Sequence, residues 1–151
     1  MKLSELVRPE DIVLPFAPND KWDAIAQLSE HAVTVGRLSA EQLTAARDAL
    51  FARERSMSTG MEHGIAIPHA AIDDLAEVAA VMGIVQGPNG LPFESIDGSS
   101  ARIIILLVIP RREKLVHIRT LADIARGLAR ENVRCALIES ESPAAAWDVM
   151  N

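Results

Sequence analysis

Apolar residues follow two alternating rhythms along this chain. Ile12-Val13-Leu14, Ile65-Ala66-Ile67, Val78 to Val85 and Ile103 to Ile109 are short continuous runs, the length of buried strands. Between them, apolar residues recur every three or four positions, the spacing of one helix face. The first such segment carries Trp22, Ile25, Leu28 and Ala32, can be capped by Asn19 or Asp20, and ends at Gly36. The second opens on the capping-box pattern Ser39-Ala40-Glu41-Gln42. It carries Leu43, Ala46, Leu50 and Phe51 and is expected to run to about Arg53. A third, long helix is expected over roughly Arg112 to Arg130, burying Leu115, Ile118, Leu121, Ala122, Ala125 and Leu128. Val133 to Ile138 fits strand or helix, and Ser142-Pro143 opens a last helix with proline at its first position.

Ser56 to Gly64, the cluster Gly87-Pro88-Asn89-Gly90 and Pro92 to Ser100 read as loops. Without a repeat or a Gly/Ser-rich linker, alternating strands and helices predict one α/β layered domain over residues 1–151. Ligand sites in such domains favour the loops at strand ends. Pro68 and Pro110 each end a strand run and introduce a segment that contains a histidine.

Composition narrows the function. No run of 18 or more uncharged apolar residues occurs, and the N-terminus turns acidic at Glu5, so neither a membrane span nor a secretion signal is expected. A single cysteine, Cys135, excludes an internal disulfide. These features describe a soluble, cytoplasmic protein. The net charge of −6 argues against general nucleic-acid binding. Arg112, Arg119 and Arg126 recur every seven residues and would share one helical stripe, either a solvated face or a docking surface for an acidic partner.

The histidines carry the candidate chemistry. His31 falls near the end of the first long helix, where it complements the helix dipole. His69 follows Ile67-Pro68, whose restricted backbone fixes the approach to it. Its imidazole, with an ordinary pKa near 6.5, offers a neutral nucleophile; a hydrogen-bonded structural residue is the alternative. His117 begins a mainly apolar helical stripe with Leu121, Ile124 and Leu128, and reads alone as a core-edge residue. Two imidazoles meeting at strand ends can bind a metal, or one can orient the other. The His63-to-His69 spacing matches no zinc pattern, so no metal and no cofactor is expected.

The segment Arg53-Glu54-Arg55-Ser56-Met57-Ser58-Thr59-Gly60-Met61-Glu62-His63-Gly64-Ile65-Ala66-Ile67-Pro68-His69 resembles the signature of the type-2 (fructose/mannitol) enzyme IIA domains of the bacterial phosphotransferase system. Pro92-Phe93-Glu94-Ser95-Ile96-Asp97-Gly98 and His117-Ile118-Arg119-Thr120-Leu121-Ala122 fit the same family in order and spacing. The resemblance implies a mixed β-sheet flanked by helices and a covalent phosphohistidine rather than metabolic turnover. It implies that His69 accepts a phosphoryl group from a histidine phosphocarrier protein, with His117 beside it as the supporting histidine. Arg53 would stabilise the phosphate, and Ser58, Thr59 and Gly60 would bind the phosphoryl oxygens, roles that suit the chemistry of phosphoryl transfer. Met57, Glu62, His63 and Ala70 depart from the family pattern.

The opening Met1-Lys2-Leu3-Ser4-Glu5-Leu6-Val7 and Gly36-Arg37-Leu38 resemble the nitrogen-regulatory branch, whose members regulate other proteins such as transporters or kinases. With no sugar-binding membrane domain in the sequence, that branch is the expectation. The alternatives are a sugar-specific component serving a separate permease chain, and a binding module without phosphotransfer.

Overall fold

A computed structural model describes residues 2–87 and 89–151; Pro88, in the expected turn cluster, lies outside them. The elements are α1 (Leu3–Leu6), a 3-10 turn (Pro9–Asp11), β1 (Ile12–Val13), α2 (Lys21–Thr34), α3 (Ala40–Ser56), β2 (Ile65–Ala66) and β3 (His69–Ile72). They continue with β4 (Ala79–Ile84), β5 (Ile103–Pro110), α4 (Lys114–Gly127), α5 (Glu131–Ile138) and α6 (Pro143–Met150).

Local chemistry starts the helices where the sequence places them. The Asp20 carboxylate accepts the Asp23 N–H at 2.8 Å and opens α2. Ser39 and Gln42 form the reciprocal capping box of α3, and Ser142 caps α6 ahead of Pro143. Such caps each contribute about 1 kcal/mol. Gly36, at φ +81, turns the chain out of α2. Helix α3 continues three residues past the expected Arg53, to Ser56.

The mixed five-stranded sheet runs β1-β4-β5-β2, with β3 also paired to β5. Among the described strand pairs, β4–β5 is antiparallel and the other three are parallel. Strand β5 is buried along its whole length, which explains its unbroken apolar run. Its Ile104, Leu106 and Val108 pack in the layer of α2 and α3. Its Ile103, Ile105, Leu107 and Ile109 pack with Ile124, Leu128, Leu137 and Ala146 on the other face. Each such side chain withdrawn from water contributes about 1.5–3 kcal/mol.

Three expectations need correction. Pro68 interrupts the strand run but does not leave His69 outside the sheet. β2 pairs Ala66 with Ile104 and β3 pairs His69 with Leu107, so the register is unchanged across the break. Proline has no N–H for the ladder, but its carbonyl accepts the Leu107 N–H at 2.9 Å and pairing resumes. On α4, Leu115 and Ile118 are each 67% exposed rather than buried, and Ala125 is exposed. Two apolar stripes interleave along this helix, and only the one through His117, Leu121, Ile124 and Leu128 turns toward the sheet. The arginine stripe does not form, because Arg112 precedes α4 and donates to the Leu75 carbonyl at 3.1 Å. The ambiguous Val133 to Ile138 segment lies in helix α5.

Candidate functional site

Alternation along β2 and β3 aims His69. Ala66, Ala70 and Ile72 pack toward α2 and α3, whereas Ile65 and Ile67 pack on the opposite face. His69 shares the parity of Ile65 and Ile67, so its ring projects toward the layer of α4. There it meets His117, in the first turn of α4, edge to face with centroids 5.3 Å apart and planes at 70°. Ala70, where the family often has glycine, is extended backbone paired with Val108 and needs no left-handed conformation.

The tautomer of His69 follows from one contact. Its Nδ1 lies 2.7 Å from the Ile67 carbonyl oxygen. A carbonyl only accepts, so Nδ1 carries the proton and the ring's free lone pair is on Nε2. Burial lowers the His69 pKa from its ordinary 6.5. The bond to Ile67 opposes the shift, the Arg53 and His117 charges add to it, and the Glu54 charge opposes it. The imidazole is therefore neutral at physiological pH.

The loop after α3 forms the neighbouring wall. Arg53, in the last turn of α3, donates from Nη1 to the Met57 carbonyl at 2.7 Å. Thr59 is buried; its N–H and its hydroxyl both go to the Glu54 carboxylate, the hydroxyl at 2.6 Å. Ser58 donates its hydroxyl to the Glu94 carbonyl at 2.6 Å and accepts the Gly60 N–H at 3.3 Å. The donors expected on Ser58, Thr59 and Gly60 are thus engaged within the protein, where they shape the loop. Glu54 is a buried carboxylate that the sequence signals by nothing more than its place beside Arg53.

Gly60 passes so close to the 93–95 segment that a Cβ there would overlap the Glu94 carbonyl and come within 3.2 Å of Ser95 Cα. Backbone cannot swing aside as a side chain can. Gly60→Ala is expected to destabilise the protein by about 1–3 kcal/mol. Hydrogen exchange should localise the loosening to residues 57–67, and unchanged protection there would refute the contact.

Glu62 and His63 are exposed in the loop before β2. His63 takes a left-handed φ of +63 at the loop tip, and its Nε2 lies 3.7 Å from the Glu62 carboxylate. Asp97 accepts the His63 N–H at 3.0 Å and a Ser99 hydroxyl at 2.6 Å. The first of these bonds above all, then the second, hold the Asp97 carboxyl well below the usual carboxylate range. No group of three or more metal-ligating side chains occurs among the described residues.

The model of one protein family, the phosphoenolpyruvate-dependent sugar phosphotransferase system EIIA 2, matches residues 5–151. The fructose-specific EIIA component of Haloferax volcanii is 32% identical over 98% of this chain and 94% of its own length. A nitrogen regulatory protein of Bradyrhizobium diazoefficiens is 29% identical over 99% of this chain and 95% of its own. The chain spans only 23% of the fructose-specific EIIABC component of Bacillus subtilis, at 30% identity. In fold, the nitrogen regulatory protein IIA-Ntr of Neisseria meningitidis superposes with a TM-score of 0.84 over 99% of both chains, at 22% identity. The chain belongs to the EIIA 2 family of the phosphoenolpyruvate-dependent sugar phosphotransferase system.

Proposed function

We propose that this protein is a histidine phosphocarrier, a single EIIA domain over residues 1–151 in which His69 Nε2 accepts a phosphoryl group from a phosphohistidine of a carrier protein. The observation that carries this reading is the 2.7 Å contact from His69 Nδ1 to the Ile67 carbonyl, which keeps a proton on Nδ1 and a lone pair on Nε2. In the transfer, the donor's N–P bond breaks as the Nε2–P bond forms, and Nδ1 keeps its proton throughout. Such transfers depend on positioning and on stabilising the phosphoryl charge more than on covalent work by the protein. Arg53 supplies the cation, His117 faces the incoming group, and the Ser58-Thr59-Gly60 loop gives the wall its shape. No metal or cofactor enters this step.

Within the family we favour the nitrogen-regulatory role, in the cytoplasm, with a transporter or kinase as the regulated target. The 29% identity to a nitrogen regulatory protein along nearly the full length supports it. No helix among the described residues is long and apolar enough to cross a membrane. A sugar-specific role is the second reading, favoured by the 32% identity to a fructose-specific component.

Incubation with phosphoenolpyruvate, enzyme I and the histidine phosphocarrier protein tests the proposal. Intact mass should rise by one phosphoryl group, labile in acid. No gain would leave a binding module without phosphotransfer. Co-purification with a sugar permease domain would select the sugar-specific role.

A further inference from the structure

We propose that Glu54 is a positioning residue, clamped by Lys21, whose carboxylate fixes the Thr59 backbone and through it the Ile67 carbonyl that holds the His69 tautomer. The inference rests on reading His69 as the phosphoryl acceptor.

Glu54 sits in an unfavourable place for a carboxylate. It is 3% exposed and lies near the C-terminus of α3, the negative end of the helix dipole. A buried carboxylate persists only where its oxygens are fully engaged. Here both accept from Thr59: the N–H at 3.1 and 3.0 Å and the hydroxyl at 2.6 Å. The Lys21 ammonium closes on Oε1 at 3.3 Å and is itself held over the Trp22 and Phe93 rings, at 5.0 and 5.9 Å.

From Thr59 the constraint runs to the histidine in two bonds. The Thr59 carbonyl accepts the Ile67 N–H at 3.1 Å, and the Ile67 carbonyl accepts the His69 Nδ1–H at 2.7 Å. Ile67 lies in the gap between β2 and β3, where Pro68 has no N–H to give the sheet ladder. The Thr59 contact therefore anchors Ile67 where the ladder does not. Lys21, Glu54, Thr59, Ile67 and His69 make one continuous chain of contacts from α2 to the reacting ring.

Nitrogen-15 NMR of the unphosphorylated full chain reads the tautomer directly, by long-range correlation to both ring nitrogens. In the wild type, His69 is expected as a single Nδ1–H form. Glu54→Gln should convert it to a mixture with the Nε2–H form and slow phosphoryl acceptance about tenfold. Lys21→Met should act in the same direction more weakly, and Lys21→Arg should restore the wild-type spectrum. A folded Glu54→Gln protein that keeps the pure Nδ1–H form, or that shifts tautomer without slowing acceptance, overturns the proposal. If Glu54→Gln does not fold, Lys21→Met decides, and an unchanged spectrum overturns it. The spectrum needs no phosphate, so a wild type that never takes a phosphoryl group overturns the phosphocarrier reading and leaves the positioning geometry to be judged by tautomer alone.

Discussion

His69→Asn is expected to abolish phosphoryl acceptance, a loss of roughly 1,000-fold or more, while leaving the melting temperature nearly unchanged. An asparagine amide nitrogen falls close to the position of Nδ1, so it can still donate to the Ile67 carbonyl that Nδ1 meets at 2.7 Å. What it removes is Nε2, the nitrogen with the available lone pair. The substitution therefore separates the nucleophile from the hydrogen bond that seats it. Intact mass after incubation with the complete donor system is the measurement. A phosphoryl group still gained on another histidine would sink the assignment. A companion expectation concerns pH. Burial, together with the Arg53 and His117 charges, lowers the His69 pKa below 6.5. Only the neutral ring attacks, so the acceptance rate should fall as pH drops, with its midpoint below 6.5. A decline already centred at 6.5 would show an unperturbed ring.

Much of this fold was legible because its signals are local. Asp20, Ser39 and Ser142 name their helix starts through side-chain caps that depend on three or four neighbouring residues. Strand β5 declares itself as an unbroken apolar run because both of its faces are covered. The histidine pair was legible only through the resemblance, since periodicity alone could not bring His69 and His117 together across the fold. The failures share a physical cause. Pro68 does interrupt the strand, but pairing with the parallel neighbour β5 resumes in register at His69 and draws it into the sheet. Leu115 and Ile118 belong to an apolar stripe that tertiary packing leaves in water. Glu54 carries no signal of its burial in the motif, because the contacts that bury it, with Thr59 and with Lys21 from α2, form only in the fold.

Asp11→Asn is expected to lower stability by about 3 kcal/mol, the largest effect on folding among these substitutions. Asp11 closes the 3-10 turn before β1 and its carboxylate has no solvent exposure. It accepts the Arg8 N–H at 2.8 Å, the Arg8 guanidinium at 3.0 and 3.2 Å, and the Arg37 guanidinium at 2.5 and 3.1 Å. Arg37 also donates to the Leu6 carbonyl at 2.8 Å, so the cluster ties the N-terminal segment to the turn after α2. An asparagine keeps the shape, but it loses the charge and sets an amide against two guanidinium groups. For a chain of this size the cost corresponds to a melting temperature about 10 °C lower. The pH dependence gives a second check. Burial pushes the Asp11 pKa up, but the Arg37 and Arg8 bonds outweigh it, and the pKa lies below its ordinary 3.8. A carboxyl depressed in the folded state contributes stability that is complete above the unfolded value and is lost as pH falls through the folded one. The wild type should therefore lead the variant by its full margin at neutral pH, and the margin should shrink only below about pH 4. Equal melting temperatures at neutral pH, or a margin that does not narrow in acid, would show that the arginines do not act through this carboxylate.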